Sequence, residues 1–159
     1  MQHDQTEGPD VITIPPLIPL AGLGLSLVGR MLVNMPILPR WLAGPRKRAG
    51  IALIVGGFLT GLWGARTFRE AGTHINPEHA ATTLVESGPF QYTRNPIYIG
   101  MSAIYSGITL LLNNMWGVLL LPGVIAALQR GVIEREEAHM RERFGDAYEE
   151  YTERVPRWL

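Results

Sequence analysis

The chain has 159 residues, with 14 basic side chains, 14 acidic side chains and no cysteine. That length allows one domain or one small membrane bundle. The balanced charge argues against a nucleic-acid-binding protein, and the lack of cysteine excludes disulfides, thiolate nucleophiles and zinc–thiolate sites. Charge is unevenly distributed, because residues 130–159 hold 14 of the 28 charged side chains.

Three uncharged runs predict membrane-spanning helices. In chain order, Val11–Gly29 has 19 residues, Ala49–Ala65 has 17 and Asn95–Gln129 has 35. A spanning helix needs about 20 apolar residues, with a range of roughly 17–25. The longest run is interrupted by Asn113-Asn114, so it is predicted to form a helical hairpin. The sequence therefore predicts an all-α fold, an integral membrane bundle of about four transmembrane helices. These spans are expected near residues 12–33, 49–68, 96–112 and 115–130 of a single domain, residues 1–159.

The alternative to a membrane bundle is a soluble bundle with unusually apolar core helices. Helices of soluble proteins normally carry a polar face, and Val118–Leu128 shows no polar stripe. A signal peptide is also disfavoured, because the first ten residues contain three acidic side chains and no Lys or Arg. The membrane interpretation is therefore preferred.

Small residues four positions apart predict close helix packing within the bundle. The pairs are Gly22 and Ser26, Gly57 and Gly61, and Ala103 and Gly107. Small side chains at this spacing let two helix backbones approach each other in lipid. The alternative is that glycine is simply common in membrane helices.

An even number of spans would place both termini and residues 66–94 on the same side of the membrane. That side carries nine Lys or Arg residues, and the other carries five. The count weakly favours termini inside, whereas the Arg46-Lys47-Arg48 cluster opposes it. Charge alone therefore leaves the orientation open.

Two polar segments on the side of the termini are expected to meet. Arg94 and Asn95 stand just before the third span, and residues 130–151 are predicted to form an amphipathic helix. Its apolar stripe consists of Ile133, Met140, Phe144, Tyr148 and Tyr151. At 100° per residue, Glu137 falls inside this stripe and Glu136 on its edge. A buried carboxylate needs a partner, and we expect Arg94 to be that partner.

Two alternatives apply to this pairing. The Arg94–Glu137 salt bridge could be purely structural, or Gly145 could break the helix and rotate the stripe. The histidines suggest no metal site, because His74, Glu78 and His79 have unremarkable loop spacing and His139 is predicted on the polar face of its helix.

Several motifs together resemble the isoprenylcysteine carboxyl methyltransferase family and the wider group of phospholipid methyltransferases. They are Gly88-Pro-Phe-x-Tyr-x-Arg-Asn-Pro-x-Tyr-x-Gly100, Glu136-Glu137, Phe144-Gly145-x-x-Tyr148-x-x-Tyr151 and Val155-Pro-Arg-Trp158. Gly72-Thr73 and Pro77 also fit the lead-in of short bacterial-type members. The resemblance covers about Gly72 to Trp158, just over half of the chain.

The resemblance implies a membrane methyltransferase that uses S-adenosylmethionine, with a cofactor region at residues 72–100 and 130–158. Arg94 and Glu137 are implied as catalytic residues. The implied cofactor-binding residues are Tyr92, Arg94, Asn95, Pro96, Tyr98, Gly100, Glu136 and Glu137. One departure concerns Asn95, because many relatives have histidine there, and an amide can hydrogen-bond a cofactor but cannot act as a base.

The residues fit this chemistry in their own right. An arginine can bind the carboxylate of the cofactor, a glutamate its ammonium or ribose, and a tyrosine its sulfonium. Methyl transfer needs alignment more than a protein nucleophile. A lipophilic acceptor is expected to enter from the membrane. Cytosolic cofactor supply would place both termini and the site in the cytoplasm, with the protein in the inner or plasma membrane.

Three other functions stay open at the level of sequence. One is a phospholipid amine N-methyltransferase. Another is an NADPH-dependent membrane reductase, whose cofactor would need a basic cluster such as Arg130, Arg135, Arg141 and Arg143. The third is a non-catalytic membrane scaffold. Oligomerisation through the small-residue faces is possible under each of them, and nucleic acid is not expected as a partner.

Overall fold

The computed structural model describes residues 14–72 and 83–159, and this part of the chain contains helices and turns without strands. The predicted all-α class is confirmed. Six α-helices follow in order: α1 Leu17–Leu32, α2 Ala43–Glu70, α3 Pro96–Leu112, α4 Met115–Leu128, α5 Glu134–Phe144 and α6 Asp146–Arg154. Short 3-10 turns at Arg40–Leu42 and Gly88–Gln91 precede α2 and α3, and a π-helical segment, Gln129–Ile133, joins α4 to α5.

The four predicted spans correspond to α1 to α4. The second helix begins earlier than residue 49, because Pro45 fits its first turn and Arg46 is bound to carbonyls of α3. The predicted hairpin is formed by α3 and α4, and its turn lies between them. Its turn residue Asn113 adopts a left-handed conformation with φ 52°, which asparagine tolerates better than most side chains.

Two continuous helical stretches are long and apolar enough to cross a membrane, Arg40–Glu70 and Met115–Phe144. Only 17% and 33% of their apolar windows are buried within the described structure, whereas the core helix of a soluble protein would be mostly covered. α1 and α3 are shorter apolar helices. Large side chains such as Phe58, which is 61% exposed, face outward. Crossing by all four helices stays a prediction.

Close glycine contacts hold α2 against α3. A Cβ atom on Gly57 would lie 2.5 Å from the carbonyl oxygen of Gly100, and a Cβ on Gly100 would lie 2.5 Å from that of Gly57. Gly107 approaches Gly50 in the same way, since its Cβ would lie 2.6 Å from the Gly50 oxygen. The expected close packing is therefore observed, although a Cβ on Gly61 would meet nothing within 4 Å.

α1 packs against α4 and also uses small residues. A Cβ on Gly22 would lie 2.5 Å from Val124 Cγ2. Ser26 is buried, and its hydroxyl and carbonyl oxygens both accept hydrogen bonds from the Asn114 amide, at 3.1 Å and 3.0 Å. The apolar core lies where α3, α4 and the π-helical segment meet. Its fully or almost fully buried members are Tyr98, Tyr105, Val124, Leu128, Val132 and Ile133.

The predicted C-terminal helix is divided in two at Gly145. This residue has φ 52° and ψ −128°, a conformation that side chains rarely adopt. Tyr148 and Tyr151 of α6 are nevertheless buried, with Met140 and Phe144 of α5 packed against them. Four members of the predicted apolar stripe therefore still pack together, whereas Ile133 belongs to the core at the π-helical segment and the helix is broken at Gly145 as the alternative stated.

Candidate functional site

The loop before α3 is fixed on the end of α2. Phe90 is buried, and its ring lies 4.6 Å from the ring of Phe68, measured between centroids. The Tyr151 hydroxyl donates a hydrogen bond of 2.8 Å to the Phe90 carbonyl oxygen. Pro96 then occupies the first turn of α3, which leaves Arg94 at the mouth of the helical bundle.

Arg94 and Glu137 form the ion pair that the sequence predicts. Arg94 Nη1 lies 3.0 Å from Glu137 Oε1, and the two side chains are 12% and 5% exposed. Nε of Arg94 is shielded from solvent and has no hydrogen-bond partner among residues 14–72 and 83–159. The pair therefore balances charge but leaves Nε of Arg94 as a buried donor that an acceptor could use.

Arg157 is a second partner of Glu137, and sequence reasoning missed it. Its Nε donates to Glu137 Oε1 at 3.0 Å and its Nη2 to Oε2 at 2.7 Å. Hydrogen bonding to Glu137 raises the pKa of Arg157. The available signal was the Val155-Pro-Arg-Trp158 motif, whose arginine was given no role. Arg141 Nη2 lies 4.0 Å from Oε2, so three arginines surround one carboxylate.

Backbone contacts hold the segment around Arg157 against the loop before α3. The Arg94 amide donates to the Pro156 oxygen at 3.0 Å. The Thr93 hydroxyl and the Asn95 side-chain amide both donate to the Arg157 oxygen, each at 3.0 Å. Asn95 is 6% exposed. Its amide is therefore used in binding this segment, and it supports Arg157 rather than opening onto solvent.

Glu136 faces a different partner from its neighbour Glu137. The Tyr98 hydroxyl donates a hydrogen bond of 2.6 Å to Glu136 Oε1. Burial is the main cause that raises the pKa of the Glu136 carboxyl to about 7, the charge of Glu137 adds to it, and the Tyr98 hydrogen bond opposes it. Glu136 lies on α5, which follows the apolar helix α4 in the continuous helical stretch Met115–Phe144. The two adjacent carboxylates thus occupy distinct environments.

The remaining predicted site residues lie elsewhere. Tyr92 is 63% exposed, and its ring stands 6.5 Å from that of Trp63 on α2. Pro96 is fully buried, next to Gly64 of α2, and Gly100 faces α2. The contacts described for these three residues are thus with α2, whereas Arg94 and Tyr98 bind the two glutamates.

Of the histidines named in the sequence analysis, only His139 lies within the described residues. His74, Glu78 and His79 lie outside the described residues, as do Thr73 and Pro77 of the lead-in motif. His139 is half-buried, and its Nε2 is shielded from solvent without a hydrogen-bond partner in the described structure. His139 was predicted on the polar face of its helix, and it is only partly exposed there.

A comparison of the sequence with known protein families gives a match. The sequence model described as phospholipid methyltransferase matches residues 45–147, from the first turn of α2 into α6. The chain belongs to the phospholipid methyltransferase family. The resemblance drawn from the motifs is confirmed.

The chain is similar to a curated protein, the protein-S-isoprenylcysteine O-methyltransferase of Schizosaccharomyces pombe. The two are 37% identical over 73 residues, which cover 46% of this chain and 31% of the relative. The chain thus matches about a third of the length of that relative. No solved structure matches.

The matched family region contains all eight predicted site residues of this phospholipid methyltransferase family member, since they lie between residues 92 and 137. Arg157 lies beyond the matched region, which ends at residue 147, although it binds Glu137 inside that region. Family membership and two helices apolar enough to cross a bilayer together identify a membrane protein.

Proposed function

We propose that this protein is an S-adenosylmethionine-dependent methyltransferase that moves a methyl group to a lipophilic acceptor, as isoprenylcysteine carboxyl methyltransferases do. The observation that carries the proposal is the buried Arg94–Glu137 pair at the mouth of the bundle, within the family motif. The relative from Schizosaccharomyces pombe is named for O-methylation of isoprenylcysteine, which supports a lipophilic carboxylate as acceptor.

The residues of the site fit the amino-acid end of S-adenosylmethionine. Nε of Arg94 is a buried donor without a hydrogen-bond partner among the described residues, and the guanidinium would hold a carboxylate through charge-assisted bonds. The carboxylate of Glu137 would hold an ammonium, and Glu136 with Tyr98 could accept from the ribose. When bound, the cofactor supplies an electrophilic methyl group on a sulfonium.

The chain itself contributes alignment and exclusion of water. Glu137 is 5% exposed at the side chain, and the segment around Arg157 covers it. A dry, charged site orients a polar ligand without reorganisation of solvent. Asn95 donates its amide to the Arg157 oxygen, so it acts in positioning, and no step calls on it as a base.

We further infer that all four apolar helices cross the membrane, with α5 and α6 as a cytosolic cap. α5 is charged along most of its length, which disfavours the hydrocarbon core. Cytosolic supply of the cofactor would then place both termini and the site in the cytoplasm. The acceptor would approach laterally, because the outward faces of α1 and α2 are apolar and exposed.

A phospholipid amine is the second candidate acceptor, and one observation favours it. An ammonium must lose a proton before it can be methylated, and a general base works best when its pKa lies near the operating pH. The Glu136 carboxyl meets that condition, because burial raises its pKa to about 7, and in this alternative it would take the proton of the amine instead of contacting the ribose. A carboxylate acceptor would need no such base.

The reductase alternative is less well supported by the basic residues. Arg141 Nε binds Glu149 Oε1 at 2.9 Å, and Arg143 and Arg135 also have interaction partners. These arginines are therefore engaged within the chain rather than gathered as a free cluster for a 2′-phosphate. A non-catalytic scaffold predicts that the Arg94–Glu137 pair is only structural.

Calorimetry on the purified protein in detergent tests the proposal. We expect wild-type protein to bind S-adenosylmethionine, NADPH not to compete, and Glu137→Gln to lose binding while still unfolding cooperatively. Glu142→Gln is the matched control, because Glu142 is exposed on the same helix as Glu137. Folded wild-type protein that fails to bind the cofactor would refute the proposed function.

A second assay separates the two acceptor classes. A prenylcysteine analogue and a phosphatidylethanolamine are each incubated with labelled cofactor and the protein in lipid. Label in the ester of the first supports the carboxylate, and label on the amine of the second supports the alternative. The scaffold reading predicts label in neither.

A further inference from the structure

The end of the bundle opposite the candidate site is basic and carries no counter-charge. Five cationic residues lie there, namely Arg30, Arg40, Arg46, Lys47 and Arg48. No Asp or Glu occurs between residues 11 and 69, or between residues 87 and 133. The helical segments that form this end therefore supply no acidic partner.

Two of these five cations are used inside the fold. Arg30 Nη1 donates to the Leu112 oxygen. Arg46 Nη1 donates to the Leu110 oxygen and, at 2.9 Å, to the Leu111 oxygen. The last carbonyl groups of a helix carry a partial negative charge. Arg30 and Arg46 thus neutralise the end of α3, which explains their partial or full burial.

The other three cations have no such role. Arg40, Lys47 and Arg48 are exposed, and within residues 14–72 and 83–159 they make no hydrogen bond or ion pair. Lys47 and Arg48 stand near the N-terminus of α2, where the helix dipole is itself positive. Their placement is unfavourable for the isolated helix, so an external anion would offset it.

The loop that carries Arg40 is held in place by the α3–α4 turn. The Asn113 side-chain oxygen accepts hydrogen bonds from the Ile37 and Leu38 amides, both at 3.0 Å. The Met115 amide donates to the Met35 oxygen at 2.9 Å, and the Trp116 indole donates to the Val33 oxygen, also at 2.9 Å. The cations are thus presented on an ordered surface.

Exposed apolar side chains lie among these cations. Trp41 follows Arg40 directly and is 79% exposed, and Met31 and Leu32 are 85% and 79% exposed. Tryptophan and basic residues together are typical of the membrane interface, where the ring sits at headgroup depth. A soluble acidic protein would not need this apolar rim, whereas a lipid leaflet provides both acyl chains and phosphates.

We propose that Arg40, Lys47 and Arg48, with Trp41, form a binding surface for the headgroups of anionic phospholipids. The charge of the surface is complementary to a phosphodiester with no compensating amine, and its apolar rim would contact the adjoining acyl chains. The surface is separate from the Arg94–Glu137 site, so it stands independently of the proposed methyltransferase activity.

The test uses the full chain in a neutral detergent, titrated with short-chain phosphatidylglycerol or with phosphatidylcholine of the same chain length. Bound lipid is counted by native mass spectrometry, and the shift of the unfolding temperature is recorded. Each cation of the proposed surface is expected to contribute roughly fivefold to binding of an anionic headgroup that it contacts. We therefore expect Lys47→Gln/Arg48→Gln to bind phosphatidylglycerol roughly 25-fold more weakly.

Arg66→Gln/Arg69→Gln is the matched control, because it removes two exposed arginines from the other end of the same helix. It should retain wild-type affinity, as phosphatidylcholine binding should in all variants. Arg40→Gln serves as a second variant, with a fivefold loss expected. Equal binding of the two lipids by wild-type protein, equal losses in the control, or equal stabilisation by inorganic phosphate would overturn the proposal.

Discussion

Arg157 and Glu137 form a two-point hydrogen-bonded pair, at 3.0 Å and 2.7 Å, within a site that already contains the Arg94–Glu137 ion pair. A buried carboxylate flanked by arginines on two sides is fully compensated in charge. The pair also joins α5 to the segment after α6, and helical spacing in the sequence does not predict that these two segments meet.

Replacement of Arg157 should lower stability. Arg157→Gln removes two charge-assisted bonds from a carboxylate that is 5% exposed, and such bonds contribute about 1.5–3 kcal/mol each before exposure is discounted. Arg157→Lys should restore only part of the loss, because an ammonium cannot reproduce the planar two-point contact. Unfolding temperatures in detergent give the comparison.

The control for this change is Arg154→Gln. Arg154 binds Glu86 on the surface, with side chains that are 61% and 36% exposed, and exposed pairs contribute little. An equal loss of stability in both variants would show that the Arg157–Glu137 contact contributes no more than an exposed ion pair.

Arg94 should be required for cofactor binding more than for folding. Arg94→Gln leaves Glu137 paired with Arg157, so the carboxylate keeps a partner. The variant loses the buried donors that would bind the cofactor carboxylate, and we expect affinity to fall roughly 10- to 100-fold. Titration calorimetry with S-adenosylmethionine measures the change, and a circular dichroism melt verifies the fold. Unchanged affinity would remove Arg94 from the proposed site.

Stability should depend on pH through Glu136. Its pKa is about 7 in the folded chain against an ordinary 4.5, mainly because it is buried. Between these pH values the folded chain keeps a proton that the unfolded chain has lost, so the free energy of unfolding decreases as the pH rises. We expect the wild-type unfolding temperature to fall from pH 4.5 to pH 7.

Glu136→Gln tests the origin of this dependence. The amide does not titrate, so the fall over that interval should be smaller in the variant than in wild-type protein. Glu142→Gln is the control, since Glu142 is exposed on the same helix. A wild-type slope in Glu136→Gln would assign the dependence to another group.

The contact between α2 and α3 should be intolerant of one added methyl group. In Gly57→Ala the new carbon would lie 2.5 Å from the Gly100 oxygen, a backbone atom that cannot turn aside. Forced overpacking typically costs about 1–3 kcal/mol. The neighbouring change Gly56→Ala is the control, because nothing lies within 4 Å of its Cβ position. Gly57→Ala should therefore unfold at a lower temperature than Gly56→Ala. Equal unfolding temperatures would argue against this helix contact.

Sequence reasoning found the features that depend on short-range pattern. The 100° spacing of α5 placed Glu137 on the buried face, and the Asn113-Asn114 break located the hairpin turn. The spacing of small residues indicated where helices approach. Each of these follows from the regular geometry of one helix, which the sequence carries without knowledge of its neighbours.

The features that sequence reasoning missed depend on which segments meet. Arg157 reaches Glu137 only because residues 155–157 fold back along the loop before α3, and no periodicity describes that path. Tyr92 and Gly100 belong to the same motif as Arg94, yet they face α2. A motif records that residues occur together, but it does not record the direction in which each side chain points.

The contacts of residues 155–157 also bear on the order in which the protein is made. Arg94 and the α3–α4 hairpin leave the ribosome before Glu137, and Arg157 leaves after both. The contact between Arg157 and Glu137 therefore cannot form until residue 157 has been synthesised, and before that Arg94 is the strong partner of the carboxylate. The candidate site is therefore completed only after α1 to α4 have all been synthesised.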